Sequence, residues 1–360
     1  MRLRSVFGLA LVFSIVGSSL AGCTGSSQTS PSPTARPQLG LSLASDSAGR
    51  WKGISEALTS TLESDGFPTT TAYADDSIEK QAEQIGSLVD GGVRLLAVGP
   101  ATGSALAPTL QAAYQKGVGV LAIDRPLTDT NAVDGFVGFD SYKLGQLQGQ
   151  AIADALKLDS PGTHTLEVFA GSPVDPNAKQ TFQGAWDVLS PYVLAGKLNI
   201  LSGKVPTSDD WSSVAVLDSA KSTAKADMAQ RLKAYDSEKV DAVLAPSDDI
   251  ALGVAAALKD AGYTTYPVLT GADAQVSAVK NVISGKQTMT VLEDPRELAK
   301  AASEWLALLG SGIALPHETT MNNGVKEVPA KLLEPVVVTK DNYQQVLIDS
   351  GFMTAAELGS

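Results

Sequence analysis

From Leu39 onward, short apolar runs alternate with longer amphipathic stretches, and this alternation limits the fold more than any other feature of the chain. Residues 39–43, 69–73, 94–98 and 118–123 read as strands; the last is an apolar run with β-branched residues, as in a strand buried on both faces. Between them, 51–64, 78–88 and 105–116 read as helices, with Ile54, Leu58 and Leu62 recurring at i, i+4 in the first. The second half repeats the theme, with strands at 163–169, 198–201, 240–245, 267–270 and 288–292. Helices are expected at 142–156, 178–189, 219–235, 250–261, 276–283 and 298–309, and extended structure over 325–338. Such alternation specifies an α/β fold built on mostly parallel sheets.

The strand at 118–123 stops at Asp124-Arg125, and a second apolar run, 135–139, begins after a connection of about ten residues, longer than most. The spacing predicts a crossing between two sheets here, with Asp124 and Arg125 facing a cleft. In open α/β sheets, ligands sit at the carboxyl ends of strands. Other expected strand ends also collect polar residues: Asp46 with Arg50-Trp51, Ser172 to Asn177, Ser247-Asp248-Asp249, Asp273, and Glu293-Asp294. Each alone is explained by an Asx turn or a helix cap. Six in register point to a binding cleft.

At 360 residues the chain exceeds one typical domain, so two lobes are expected. Its formal charge of −12 and lack of a basic stripe exclude a nucleic-acid partner. A basic start (residues 1–4) and an apolar stretch (6–16) form a signal peptide over residues 1–22, too short for a lasting transmembrane helix. Leu20-Ala21-Gly22-Cys23 resembles the lipobox of bacterial lipoproteins, which implies cleavage before Cys23, its acylation, and an extracytoplasmic, membrane-anchored protein. Cys23 is the only cysteine, so no disulfide forms within the chain. Residues 23–38, rich in Ser, Thr, Pro and Gly, read as an anchored flexible linker.

Several stretches resemble the pentose- and hexose-type solute-binding proteins of ABC importers, close to xylose-binding and multiple-sugar-binding proteins. They are GRWKG (49–53), AIDRPL (122–127), GFDSYKLGQLQG (138–149), GSPVDPNAK (171–179), DAVLAPSDDIALG (241–253), TGADA (270–274), KQTMTV (286–291) and NNGVKEVPAKLLEPV (322–336). The resemblance implies two Rossmann-like three-layer lobes joined by a three-crossing hinge, the periplasmic-binding-protein-like I fold. On this basis the lobes are expected at 39–127 plus 293–323 and at 128–292 plus 324–360, closing by hinge motion on a monosaccharide.

Pyranose chemistry agrees with the residues. Flat aromatics cover the ring faces, and ionised side chains take several hydroxyls at once. Trp51 and Trp211, flanked by polar residues, are the stacking candidates, whereas Trp186 and Trp305 sit on apolar helix faces and read as core. Asp124 and Arg125 suit bidentate contacts to vicinal hydroxyls; the resemblance adds Arg50, Asn177, Ser247, Asp248 and Asp273. It also implies a lysine near Asp46, asparagine at Ser247, glutamine at Ala272 and lysine at Glu293. This chain therefore exchanges two basic groups for the acids Asp46 and Glu293, which turns the expected ligand away from sugar acids. The expected ligand is xylose- or glucose-like, or else an amino sugar or polyol.

The function implied is the extracytoplasmic component of an ABC sugar importer, delivering ligand to permease subunits. The alternative is a sensory receptor presenting a bound molecule to a membrane kinase or chemoreceptor. No enzyme is expected: adjacent Asp248-Asp249 cannot face each other across a glycosidic bond, and His164 and His317 belong to no nucleophilic set. No cofactor is expected, and no cluster with metal-ligand spacing is present.

Overall fold

In the computed structural model, residues 36–45, 50–235 and 239–359 are described; Cys23, the leader, the linker up to residue 35 and Asp46 lie outside them. The first lobe begins with β1 (Leu39–Leu43), α1 (Arg50–Ser64), β2 (Thr69–Tyr73), α2 (Ile78–Asp90), β3 (Leu95–Gly99), α3 (Ala107–Gln115), β4 (Gly119–Ile123) and β5 (Gly135–Phe139). The second follows with α4 (Ser141–Leu156), β6 (His164–Val168), α5 (Ala178–Leu194), β7 (Leu198–Ile200), α6 (Lys221–Ala234), β8 (Ala242–Leu244), α7 (Asp248–Asp260), β9 (Val268–Leu269), α8 (Val276–Ser284) and β10 (Met289–Leu292). The chain then returns through α9 (Pro295–Gly310), β11 (Thr320–Asn322) and β12 (Glu327–Leu333). It ends in the second lobe with β13 (Val336–Thr339) and α10 (Ala355–Leu358).

The first sheet has the order β11-β12-β5-β4-β3-β1-β2, parallel except where β11 pairs with β12. Every residue of β1, β3 and β5 is buried, because helices cover both faces. On one face α1 and α9 pack Leu58, Leu62, Leu298 and Trp305 against Leu39, Leu41 and Leu43. On the other, α2 and α3 pack Ile85, Leu88 and Leu110 against Leu96, Val98 and Val120.

The second sheet, β7-β6-β8-β9, is also parallel. The antiparallel pair β10–β13 continues it: Thr288 N donates to Leu269 O (2.8 Å) and Asp273 N to Val291 O (2.9 Å). Helices α4 and α5 cover one face and α6 and α7 the other. Helices α4 and α5 touch backbone to backbone, since a Cβ on Gly145 would overlap the carbonyl of Thr181 and one on Gly184 that of Tyr142.

The strand pairing differs from two of the expected lobe boundaries. β5 pairs in parallel with β4, so the long connection after Ile123 stays within the first sheet. It buries Leu127, Ala132 and Val133 on the α3 face, acting as an irregular crossover. The chain leaves the first lobe at Asp140, not at Leu127. Likewise β12 pairs with β5, which moves the last crossing from Asn323 to the Glu334-Pro335 step between β12 and β13. The remaining crossing, between β10 and α9, falls at Glu293-Asp294.

Candidate sugar-binding cleft

Between the lobes lies a cavity of about 600 Å³, within the range usual for small-molecule sites. Strand ends and helix starts from both lobes supply its walls. From the first come Arg50 and Trp51 at the start of α1 and Asp124-Arg125 after β4. The second contributes Asp175 and Asn177 before α5, Ser247 and Asp249 at the start of α7, and Asp273 after β9. Glu293 lies on the crossing itself.

Arg50 is the centre of the site. Its Nη1 contacts Glu293 Oε2 at 2.6 Å and lies 3.7 Å from Asp273 Oδ1, while Nη2 donates to Asp124 Oδ1. Because Asp273 comes from the second lobe and Glu293 from the crossing, this one guanidinium joins both sides of the cleft. Burial opposes its charge, but Asp124, Glu293 and Asp273 together hold its pKa above the ordinary value. The acids are pushed toward their neutral form: burial, against the pull of Arg50, raises Glu293 to about 8 and Asp273 to about 7.

Both Asp124 (φ 65°) and Asp273 (φ 100°) have left-handed backbones, a conformation that costs on the order of 1 kcal/mol and concentrates at functional sites. The Asp124 amide is fixed by Val137 O at 2.8 Å and the Asp273 amide by Val291 O at 2.9 Å, so neighbouring strands enforce the turns.

A second bridge lies beside the first. Arg125 Nη2 donates to Asp175 Oδ2 at 2.8 Å, and its guanidinium sits 5.2 Å from the centre of the Trp51 ring. Trp51 lies against Gly99, where any Cβ would meet the ring at 2.7 Å; only glycine lets the indole settle there. Asn177 Nδ2 donates to Asp124 O at 3.0 Å, a third tie between the lobes. Ser247 lines the cleft and caps α7, its hydroxyl accepting from Ile250 N at 3.4 Å.

Two expected site residues stand elsewhere. Trp211 does not line the cavity; it opens a 3₁₀ turn and packs on Phe182 of the second-lobe core, ring centres 6.4 Å apart. Its polar sequence neighbours misled, because a short irregular segment buries single residues without periodicity. Asp248 is fully buried beneath the cleft floor and accepts from Gln275 N (2.8 Å), Gln287 Nε2 (2.9 Å) and Thr290 Oγ1 (3.0 Å). It holds the turn carrying Asp273, and the next residue, Asp249, faces the cavity instead. Asp175 was visible only as part of a polar run; its pairing with Arg125 needed the fold. Trp186 and Trp305 are core, 6% and 4% exposed.

Among the described residues the lining carries seven carboxyl groups against two guanidiniums, which disfavours an anionic ligand. Neither histidine lines the cavity: His164 lies 3.6 Å from Asp241, and His317 Nδ1 contacts Leu315 O. Among the described residues no group of three His, Cys, Asp or Glu side chains is arranged to hold a metal ion, and no helix is long and apolar enough to cross a membrane.

A family model described as a periplasmic binding protein domain matches residues 39–313. The chain is 38% identical to the multiple sugar-binding periplasmic protein SbpA of Azospirillum brasilense, over 89% of this chain and 91% of that protein. It is 34% identical to the D-xylose-binding periplasmic protein of Escherichia coli, over 86% and 88%. Among solved structures, an ABC transporter solute-binding protein from Clostridium phytofermentans with bound β-D-glucose superposes with a TM-score of 0.84. It is 34% identical and is covered to 99%, against 89% of this chain. These relatives are solute-binding proteins, not enzymes. On sequence, lobes and cleft alike, this chain belongs to the periplasmic binding protein domain family.

Proposed function

We propose that the chain is the extracytoplasmic sugar-binding component of an ABC importer and that its ligand is an uncharged monosaccharide of the xylose or glucose type. The observation that carries this reading is the set of ties across the cleft, Arg50 to Asp273 and Glu293 and Arg125 to Asp175, formed by side chains suited to sugar hydroxyls. The names of the relatives support it. Open lobes expose Arg50, Asp124 and Arg125. A sugar entering among them gains hydroxyl contacts from both lobes, and the closed state is favoured by that difference in contacts. The permease then receives the sugar from the closed form; no reaction occurs. Relatives that carry sugars for ABC transporters favour import over presentation to a membrane kinase.

Glu293 and Asp273 oppose a ligand carboxylate, so sugar acids bind less tightly than neutral sugars; an amino sugar or polyol is compatible with the same acids. Residues 1–22 are a signal peptide in this reading, Cys23 carries the lipid anchor, and residues 24–38 tether the body. Labelled palmitate should enter the wild-type chain in a bacterial host and not a Cys23→Ala variant.

The ligand is tested by a thermal-shift screen of neutral sugars, sugar acids, amino sugars and polyols. A ligand at about 100 times its dissociation constant adds about 2.7 kcal/mol of stability. A responding neutral sugar whose shift disappears in Asp124→Ala supports the reading. A screen in which glucuronate outperforms glucose contradicts the expected preference, and a flat screen contradicts the sugar reading.

A further inference from the structure

Three carboxyls share one guanidinium at the centre of the cleft. The side chains of Asp124, Glu293 and Asp273 are 4%, 10% and 16% exposed, and Arg50 is their common partner. One positive charge faces three acids, and among the described residues no neighbouring element supplies a second that is not already paired. Arg125, after β4, is engaged by Asp175; Arg296, at the start of α9, is engaged by Asp294. The start of α7 adds only Asp248, beneath the floor, and Asp249. Among the described residues no side-chain group is arranged for a metal ion. A dry cleft with that surplus of negative charge is costly, and a proton is the simplest charge that removes it.

We propose that Glu293 and Asp273 retain one proton between them when the lobes close on a sugar, and that the neutral carboxyl so formed donates a hydrogen bond to a sugar oxygen. This rests on the sugar-binding reading and names a specificity-determining group within the same site. Arg50 takes Glu293 Oε2, which leaves Oε1 as the oxygen to carry the proton, and Glu293 lines the cavity. The raised pKa values of both acids agree with the geometry. A carboxylate at this position would accept only; a carboxylic acid also donates, so it pairs with a lone-pair acceptor such as a ring oxygen. The proton comes from solvent as the lobes close and returns when they open.

The sign follows from the direction of the shifts. The closed state binds the proton more tightly than the hydrated open state, so sugar affinity is greatest at low pH. It falls by up to about tenfold per pH unit between about pH 5 and 8, then levels off.

Isothermal titration of the full chain with D-glucose and with D-xylose, in phosphate and in Tris at pH 7, counts the protons. Uptake of about one proton per sugar, together with a falling affinity across pH 5 to 8, is the expected result. Glu293→Gln, which cannot ionise, should flatten that pH profile, a change a purely structural role would not produce. Equal heats in both buffers and a flat wild-type profile would overturn this proposal while leaving the sugar reading intact. No heat with either sugar would overturn the sugar reading and this inference with it. The wild-type proton count stands even if the variant fails to fold.

Discussion

Arg50 shows how much of the site one residue carries. Its two terminal nitrogens reach Asp124 in the first lobe, Asp273 in the second and Glu293 on the crossing between them. Arg125, held by Asp175 and stacked near Trp51, does the same over a shorter span. Arg125→Ala is expected to weaken sugar binding by about 10- to 100-fold, the worth of a charge-assisted hydrogen bond, as read by titration calorimetry. Trp211→Ala should leave sugar affinity unchanged and cost about 2–3 kcal/mol in urea unfolding, since its half-buried ring packs against the second-lobe core. Asp248 carries a pH signature of stability. Burial raises its pKa to about 7, so the folded state binds its proton more tightly than the unfolded chain. Its stabilising contribution is complete below about pH 4 and is lost as pH rises through 7. Wild type should therefore lose stability relative to Asp248→Asn across that window in urea unfolding at stepped pH.

At the scale of elements, periodicity located the strands and helices well because each is long enough to show a stripe or a continuous apolar run. Ile54, Leu58 and Leu62 mark the buried face of α1, and the unbroken 118–123 run marks β4. Short or irregular pieces escaped: β11, the 3₁₀ turn at Trp211–Val214 and the π-helical turn Gln344–Asp349 carry too few residues for a period to emerge. The expected extended stretch at 325–338 divides into β12 and β13 at Glu334-Pro335, where proline interrupts pairing. Helix contacts make a paired prediction. Gly145→Val should destabilise by about 1–3 kcal/mol or more, because α4 and α5 meet there through their backbones. Gly86→Ala, inside α2 with no neighbour within 4 Å of the added carbon, should stabilise by about 0.5–1 kcal/mol. Thermal unfolding of the two variants checks both signs.

For the whole molecule, two lobes and a polar cleft were legible because six strand ends collect polar residues. Where the chain changes lobes was less so. A ten-residue connection after β4 looks like a passage between sheets, yet Leu127, Ala132 and Val133 fold it back onto the first sheet as a substitute for a crossover helix. The three crossings at Asp140, Glu293-Asp294 and Glu334-Pro335 lie next to one another in the topology, between β5, β12 and α9 on one side and α4, β10 and β13 on the other. Such a set permits the lobes to rotate about a common edge while each sheet stays rigid. In the proposed function that motion is driven by a sugar. Small-angle X-ray scattering of the protein with and without saturating D-glucose or D-xylose tests it most directly. A smaller radius of gyration with sugar, absent in Arg125→Ala, is the predicted result; an unchanged radius at saturation would contradict closure of the lobes around the ligand.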